Sequence, residues 1–307
     1  MVNPQKLNSK NRILADISLL MAAIFWGSSF VPQRAAALVG GVFLYNGMRF
    51  LLGVTLLIPL FFYFKPNLKL ISMRAWLGGG LAGIVLFVGS SFQQFGLQYT
   101  TAANAGFITG LYVIIIPFIL ALVYRRPPRL IVWIGSCISV LGIFLLSTGG
   151  KFALSSGDAW EVVSALMGAA HVLIIDRVIH ELDLSVMAIL QGSVCGILSL
   201  IVGIFYEHST ISSLNGIWWA VIWNGIASIA LGFTLQGVGQ KYAPPADAAI
   251  ILCLESVFAA FFGWVILKEG LATIQIIGAM LMFGAMLIVQ FSTPATNFAE
   301  VKETTSV

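Results

Sequence analysis

One carboxyl group in this sequence lies deep inside a long apolar run. Glu255 is about 11 residues into the run at 244–267, which in a helix places it roughly 16 Å from the end of that run. Arg49 lies about 8 residues into the run at 41–64, roughly 12 Å deep. An isolated charge in apolar surroundings is costly, so both groups must face a partner, water or a ligand. Two interpretations stay open: a structural ion pair between Arg49 and Glu255, and a working role of Glu255 in binding substrate or a proton.

Several neutral polar side chains also lie inside apolar runs. His171 can relay protons, because an imidazole titrates near physiological pH; a buried histidine bonded to a backbone carbonyl is the alternative. Gln93, Gln94 and Gln236 both donate and accept hydrogen bonds and are costly to expose to lipid. We therefore predict that these three amides either join helices or line a substrate cavity.

Two aromatic residues and two short polar residues complete the set of candidates. Trp26 and Tyr112 can wall a substrate cavity, because each has an apolar face and one polar edge. Asn104 and Asp247 each stand at the start of an apolar run, where such side chains favour capping of a helix N-terminus. We predict that they cap the fourth and ninth helices.

No catalytic or metal-binding set is recognisable in the sequence. There is no GxSxG, HExxH or Walker loop, and no second acid is expected at the depth of Glu255. Cys137, Cys195 and Cys253 are far apart and have no metal-ligand spacing. We predict no cofactor and no metal, and ATP is not expected to be the direct energy source.

The composition indicates what kind of structure positions these residues. Hydrophobic residues make up 59% of the 307 and charged residues only 9%, whereas soluble domains are about a quarter charged. A water-soluble core cannot bury that much apolar surface, so most of the chain must face lipid. The net charge of +4 is too small and too dispersed for nucleic-acid binding. The predicted partners are membrane lipid and a small-molecule substrate.

Ten apolar runs are long enough to cross a bilayer, which takes about 20 helical residues. They predict an all-α integral membrane fold with ten transmembrane helices, near residues 14–34, 41–64, 75–98, 101–124, 129–148, 158–180, 186–206, 216–241, 244–267 and 271–291. The first run is too long and too polar for a signal peptide. We expect a tail at 1–13, five helices at 14–148, a linker at 149–157, five helices at 158–291 and a disordered tail at 292–307.

Lysine and arginine are distributed unequally between alternate loops. Of the 16 such residues, twelve fall on one side of the predicted membrane, three on the other, and Arg49 lies within a span. Cytoplasmic loops carry the excess of lysine and arginine. Both termini are therefore predicted to face the cytoplasm.

The two five-helix halves resemble each other at a constant offset of 143 residues. The segment QQFGLQY at 93–99 aligns with QGVGQKY at 236–242, and Arg34 aligns with Arg177. Five spans is an odd number, so the second half must enter the membrane upside down. Inverted repeats can expose a central site to either side in turn, which favours a transporter over a membrane enzyme.

Several short motifs follow one another along the chain: WGSSF at 26–30, Arg49, FGLQYTTAANAGF at 95–107, Lys268-Glu269 and QIIGA at 275–279. Their order and spacing resemble the EamA-like branch of the drug/metabolite transporter superfamily. Two positions depart from the family pattern. Ser256 stands where a proline often follows the acid, so the ninth helix is expected to be straighter than usual, and Arg126 replaces the first-half counterpart of Glu269.

The resemblance implies a secondary transporter that exports amino acids or related metabolites across a bacterial inner membrane. It also implies a central cavity lined chiefly by helices 1, 3, 4, 6, 8 and 9. One alternative is a lipid or lipid-linked-sugar translocase, which favours a lateral polar cleft. A less favoured alternative is a membrane-embedded enzyme, which needs two or more acids or histidines converging at one depth.

Overall fold

The computed structural model describes residues 9–39, 41–150, 156–207, 210–267, 270 and 272–292. Every regular element within these residues is helical. Nine helical segments among them are long and apolar enough to cross a membrane, and a further helix contributes the shorter apolar stretch Leu130–Leu146. The predicted all-α fold with ten membrane helices is confirmed.

The helices follow the ten predicted spans within a few residues, and the fourth, eighth and ninth spans each contain two α-helices. They are α1 (Ser9–Ala37), α2 (Val42–Phe64), α3 (Met73–Tyr99), α4 (Ala102–Gly110), α5 (Tyr112–Leu122), α6 (Leu130–Thr148), α7 (Asp158–Val178), α8 (Leu184–Val202), α9 (Trp218–Asn224), α10 (Phe233–Gln240), α11 (Pro245–Leu252), α12 (Glu255–Leu267) and α13 (Thr273–Phe291). The predicted C-terminal tail beyond residue 292 and the Lys268-Glu269 pair lie outside the described residues.

The fourth and ninth spans are each interrupted, between α4 and α5 and between α11 and α12. At the first interruption the Leu111 amide donates to the Ile108 carbonyl, three residues back, over 3.1 Å. At the second, the Leu254 amide donates to the Ile251 carbonyl, also over 3.1 Å. These i→i+3 bonds are tighter than those of an α-helix. Because the four residues correspond at the 143-residue offset, both halves break their fourth helix at the same place.

The ninth span is interrupted although Ser256 replaces the proline. The Ser256 hydroxyl donates to the Gly106 carbonyl over 2.6 Å, which joins α12 to α4. The ninth helix is therefore interrupted here without a proline, and whether it is straighter than usual in the family stays a prediction. Backbone hydrogen bonds form the turn, and contact with the neighbouring helix holds it.

The eighth span contains a π-helical segment, Gly225–Gly232, between α9 and α10. The wider turn accompanies close packing against α1. A Cβ atom at Gly232 would lie 2.4 Å from Nε1 of Trp26, so only glycine leaves room for that indole ring. Such widened turns occur frequently at functional sites.

Corresponding spans of the two halves pack against each other. α2 contacts α8, and α6 contacts α13. The third span, α3, contacts the sixth span, α7. In the same way, the eighth span contacts the first span, through α10 and the π-helical segment on one side and α1 on the other. α6 and α13 approach closely at Gly142 and Gly278, where a Cβ on either glycine would lie within 2.7 Å of the other's carbonyl oxygen. Small residues at such contacts let helix backbones approach in a membrane.

Asp247 lies in an ion cluster at the end of the bundle where α1 begins. Its carboxylate is 3.0 Å from Nη2 of Arg129 and 3.6 Å from Nη2 of Arg12. Arg12 also pairs with Asp16, at 3.3 Å, and donates to Gln290. These pairs connect α1, the start of α6, α11 and α13 at that end.

The predicted caps at Asn104 and Asp247 are wrong. Thr101 caps α4, and its hydroxyl oxygen accepts from the Asn104 amide at 3.1 Å. The residue before α11 is Pro244, which makes no side-chain cap, and the Asp247 carboxylate is engaged by arginines instead.

Candidate functional site

A cavity of about 120 Å³ lies among spans 1, 2, 3, 4, 6, 8 and 9. All six spans that the resemblance implied contribute to its wall, and the second span adds Arg49 and Phe50. The aromatic and polar lining residues are Trp26, Phe30, Gln33, Arg49, Phe50, Ser90, Gln93, Thr109, Tyr112, Ser164, His171, Ser228, Phe233, Gln236 and Glu255.

The two helix interruptions place one polar residue each at the cavity. Tyr112 is the first residue of α5 and Glu255 is the first residue of α12, and each is 4% exposed. Neither the Tyr112 hydroxyl nor Oε1 of Glu255 has a hydrogen-bond partner among the described residues. The two side chains lie close enough to interact electrostatically. The Tyr112 hydroxyl and the Glu255 carboxyl group are thus buried next to each other at the cavity, and Oε1 of Glu255 is open to a ligand.

Arg49 lies in the same cavity but does not pair with Glu255. Its Nε donates to the side chain of Asn46 over 3.0 Å, and its guanidinium lies 5.4 Å from the ring centre of Tyr45 and 5.1 Å from that of Phe50. Within the described part of the chain, no ion pair within 4.0 Å joins Arg49 to Glu255. The ion pair expected between them is therefore absent from this conformation, because an amide and two aromatic faces hold the guanidinium.

An aromatic wall forms where α1 meets the eighth span. The indole nitrogen of Trp26 donates to the Ser228 carbonyl over 3.2 Å. Its ring packs edge-to-face on Phe233 with 5.1 Å between ring centres. The widened π-helical turn contains Ser228, so the local backbone and the position of the predicted wall residue Trp26 depend on each other.

His171 lines the cavity from α7 and is held by a side-chain amide. One ring nitrogen, Nε2, lies 2.8 Å from Oε1 of Gln191, and the imidazole packs edge-to-face on Phe233 at 5.6 Å. The expected structural alternative, a bond to a backbone carbonyl, is replaced by a bond to a glutamine. A proton-coupling role of His171 stays a prediction.

The three predicted glutamines have different environments. Gln93 lines the cavity, and its Nε2 donates to the Thr109 hydroxyl over 3.3 Å. Gln236, its counterpart at the 143-residue offset, is 1% exposed, and neither amide atom has a partner among the described residues. Gln94 lies outside the cavity lining and donates to the Gln33 carbonyl over 3.0 Å, which joins α3 to α1. Gln94 therefore joins two helices in this structure, which is the other role predicted for it.

A second buried acid, Glu161, adjoins the cavity and was missed by the sequence analysis. It is fully buried, and its Oε2 accepts from the Thr109 hydroxyl at 3.3 Å. Glu161 lies in the first turn of α7, where acids are favoured by the helix dipole and commonly reach water. Its position in the sequence therefore gave no sign of burial. The available signal was Gly96, whose missing side chain leaves room for the carboxyl group.

The sequence model of the EamA-like transporter family matches residues 13–148 and 155–291 of this chain. The chain belongs to the EamA-like transporter family. The two matches cover most of the chain, one in each set of five spans.

Relatives of this EamA-like protein are named as transporters. An uncharacterized transporter of Archaeoglobus fulgidus is 32% identical over 284 residues, which cover 91% of this chain and 86% of the relative. The uncharacterized transporter YetK of Bacillus subtilis is 25% identical over 91% of this chain and 87% of its own length. A solved crystal structure matches with a TM-score of 0.76 at 18% identity, covering 91% of this chain and 99% of that one. That structure supports the fold alone.

The cavity of this EamA-like protein offers a guanidinium and a carboxyl group to a ligand. The Arg49 guanidinium makes one side-chain hydrogen bond, to Asn46, and Oε1 of Glu255 has no partner among the described residues. Arginine binds carboxylates through a planar fork of donors, and a carboxylate accepts from ammonium groups. Among the described residues, no group of three or more His, Cys, Asp or Glu is placed to hold a metal ion. The arrangement is suited to holding a small polar or zwitterionic molecule.

Proposed function

We propose that this EamA-like protein is a secondary active transporter that exports small metabolites such as amino acids by alternating access. The observation that carries the proposal is the separation of Arg49 from Glu255 within one cavity. Because the two groups do not pair with each other, each can interact with an opposite charge on the substrate. A zwitterion supplies both.

The walls of the cavity support a substrate with an apolar part. Trp26, Phe30 and Phe233 provide aromatic faces, which bind apolar side chains and also attract cations. Gln93 and Gln236 provide amide groups that both donate and accept. A small amino acid or a related compound has an apolar part that matches the aromatic faces and polar groups that match the amides.

Alternating access is supported by the relation between the halves. Corresponding helices contact each other across the bundle, and both halves interrupt their fourth helix at matching residues, Leu111 and Leu254. Discontinuous helices at a central site are typical of transporters built from inverted repeats. We infer that the second half is inverted relative to the first.

We place the protein in a bacterial inner membrane with both termini in the cytoplasm. The twelve-to-three distribution of lysine and arginine between alternate loops supports this orientation. Net export follows from the family resemblance. The alternative of a lipid or lipid-linked-sugar translocase predicts a cleft open to lipid, whereas this cavity is surrounded by seven spans.

Counterflow in liposomes tests the proposal. Purified protein is reconstituted into vesicles loaded in turn with each amino acid or nucleoside, and uptake of the same labelled compound is followed. We expect exchange of one or more amino acids. An amine lacking the carboxylate and an acid lacking the ammonium group should compete much more weakly than the parent amino acid.

Protein-free vesicles and vesicles with Arg49→Lys protein are the controls, because lysine keeps the charge but loses the forked donors. Absence of exchange with every amino acid, together with scrambling of a fluorescent lipid, would support the translocase instead. Equal competition by the amine, the acid and the parent amino acid would contradict recognition of a zwitterion.

A further inference from the structure

The Glu161 side chain lies where two glycines, which have no side chain, leave room between α3 and α7. This side chain is 0% exposed. A Cβ atom at Gly96 on α3 would lie 2.5 Å from its Oε1. A Cβ at Gly157, just before α7, would lie 2.5 Å from the Gly96 carbonyl oxygen. Two glycines thus bring α3 and α7 together around one carboxyl group.

Among the described residues, the surroundings of this carboxyl group offer little to balance a negative charge beyond the helix dipole at the start of α7 and one hydroxyl donor. Oε2 accepts one hydrogen bond from Thr109 on α4, and Oε1 has no partner among the described residues. From α3 it lies against Gly96, which is neutral. The charged group facing it is Asp158, one turn earlier on α7, whose Oδ1 accepts from Thr100 at 2.9 Å.

A cation is also missing from its immediate contacts. Across the described residues, no Lys, Arg or His nitrogen lies within 4.0 Å of Glu161, and Arg34 on α1 donates to the Leu97 carbonyl instead. A buried carboxylate without a cation or several donors is strongly disfavoured. Binding a proton removes that cost, so this site suits a group that alternates between acid and carboxylate as its surroundings change.

A hydrogen-bond chain connects Glu161 to the cavity. Gln93 donates to the Thr109 hydroxyl, and Thr109 donates to Glu161, over 3.3 Å in each case. Gln93 and Thr109 line the cavity that contains Glu255. The hydroxyl of Thr109 has a single proton, so it can donate to only one neighbour at a time.

The chain has two arrangements that depend on the proton of Glu161. With the carboxylate, Thr109 donates to Glu161 and accepts from the Gln93 amide nitrogen, which leaves the Gln93 carbonyl free for the cavity. With the acid, Glu161 can donate to Thr109, and Thr109 can then donate to the Gln93 carbonyl. The Gln93 amide nitrogen then faces the cavity instead.

We propose that Glu161 is a proton-binding residue of the transport cycle and that Thr109 passes its protonation state to Gln93 in the cavity. The inference rests on the proposed transport function. Proton occupancy at Glu161 thereby selects whether the cavity presents a hydrogen-bond acceptor or a donor to the substrate. Glu255 and Glu161 then form two separate acidic sites, on α12 and α7.

The proton site is tested without any substrate. Infrared difference spectra of the full-length protein in vesicles are recorded between alkaline and acidic buffer, and the carbonyl band of protonated carboxylic acids is compared between variants. Glu161→Gln should lose one component of that band, while the neighbouring Asp158→Asn variant keeps it. Identical spectra for wild-type and Glu161→Gln protein would overturn the assignment.

Coupling is tested by comparing two transport modes with a mixture of labelled amino acids. Counterflow without a pH gradient measures exchange, and accumulation driven by a pH gradient measures coupling. Glu161→Gln should retain measurable counterflow but show about tenfold less gradient-driven accumulation, the size of a typical coupling between two sites. Thr109→Val should lose the same response while keeping the infrared band, and Thr109→Ser should restore it.

The outcomes separate this inference from the proposed function. If wild-type protein shows no counterflow, the transport proposal fails, and the infrared spectra still decide whether Glu161 binds a proton. If Glu161→Gln protein accumulates amino acids as wild-type does, Glu161 is not a coupling residue, although the transporter function stands.

Discussion

Tyr112 and Glu255 occupy corresponding positions of the two halves, 143 residues apart, and line the same cavity. Each is the first residue after an interruption of its span. Both side chains are buried, and Oε1 of Glu255 has no hydrogen-bond partner among the described residues. One half therefore contributes a neutral hydroxyl where the other contributes an acid, so the site is chemically asymmetric although the helices around it correspond.

Replacing Glu255 with glutamine should abolish transport or remove its pH dependence while leaving the protein stable. Glutamine keeps the shape and hydrogen-bonding capacity but removes the charge. Because Arg49 does not pair with Glu255 in this structure, the variant should not need a second change at Arg49 to fold. Thermal unfolding in detergent and counterflow in vesicles measure the two properties.

A stable Glu255→Gln protein with full, normally pH-dependent transport would end the functional assignment. An unstable variant that is rescued by Arg49→Gln would instead revive the structural ion pair. Both results are read against wild-type protein purified in the same detergent.

Tyr112→Phe should be as stable as wild-type or slightly more stable, yet bind substrate more weakly. A buried hydroxyl without a partner costs about 1–3 kcal/mol, so its removal should not destabilise the fold. Tyr45→Phe is the matched control, because the Tyr45 hydroxyl accepts from Asn224 at 2.5 Å. That variant should lose about 0.5–1.5 kcal/mol of stability. The substrate concentration at half-maximal counterflow measures binding by each variant, and thermal unfolding measures its stability. A destabilised Tyr112→Phe protein would show that the Tyr112 hydroxyl has a hydrogen-bond partner.

Gly96→Ala should impair the protein, while Gly80→Ala on the same helix should not. The added methyl group at residue 96 would lie 2.5 Å from the Glu161 carboxyl group, whereas at residue 80 it meets nothing within 4 Å. Overpacking of this kind costs about 1–3 kcal/mol. Thermal unfolding of the two variants measures the difference. Equal stability would mean that Glu161 moves away from α3 at little cost.

Reporter fusions test the orientation of the spans. Fusions after Phe64, Tyr124 and Phe291 should report the cytoplasm, because the loops on that side hold twelve of the sixteen basic residues. A fusion within residues 149–157 should report the opposite side. A cytoplasmic signal from that linker would contradict the inverted arrangement of five plus five spans.

The sequence predicted the spans well because the bilayer sets their length and apolar character. Depth within a span also identified Glu255, since an acid about 11 residues inside a helix cannot reach water along its side chain. The cost of exposing an amide to lipid selected Gln93 and Gln236, and an apolar face with one polar edge selected Trp26 and Tyr112. All four line the cavity.

Other features depend on contacts that no local pattern records. Arg49 was matched to Glu255 by depth alone, but its neighbours on α2, Tyr45 and Asn46, hold it. Glu161 was overlooked because it lies near the start of its span, and only the approach of α3 buries it. The helix interruption at Leu111 occurs at a residue with no intrinsic tendency to end a helix.

The two interruptions also determine where the bundle can bend. A continuous helix carries a tilt from one end to the other, whereas a helix whose hydrogen-bond ladder is broken can pivot at the break. Both breaks lie beside the cavity, at Tyr112 and Glu255. We therefore expect α4 to swing while α5 stays packed, and α11 to swing while α12 stays packed. In that case Tyr112 lies at the pivot of α4 and Glu255 lies at the pivot of α11. Movement of one of these helices would then open one side of the cavity while the other side stays closed.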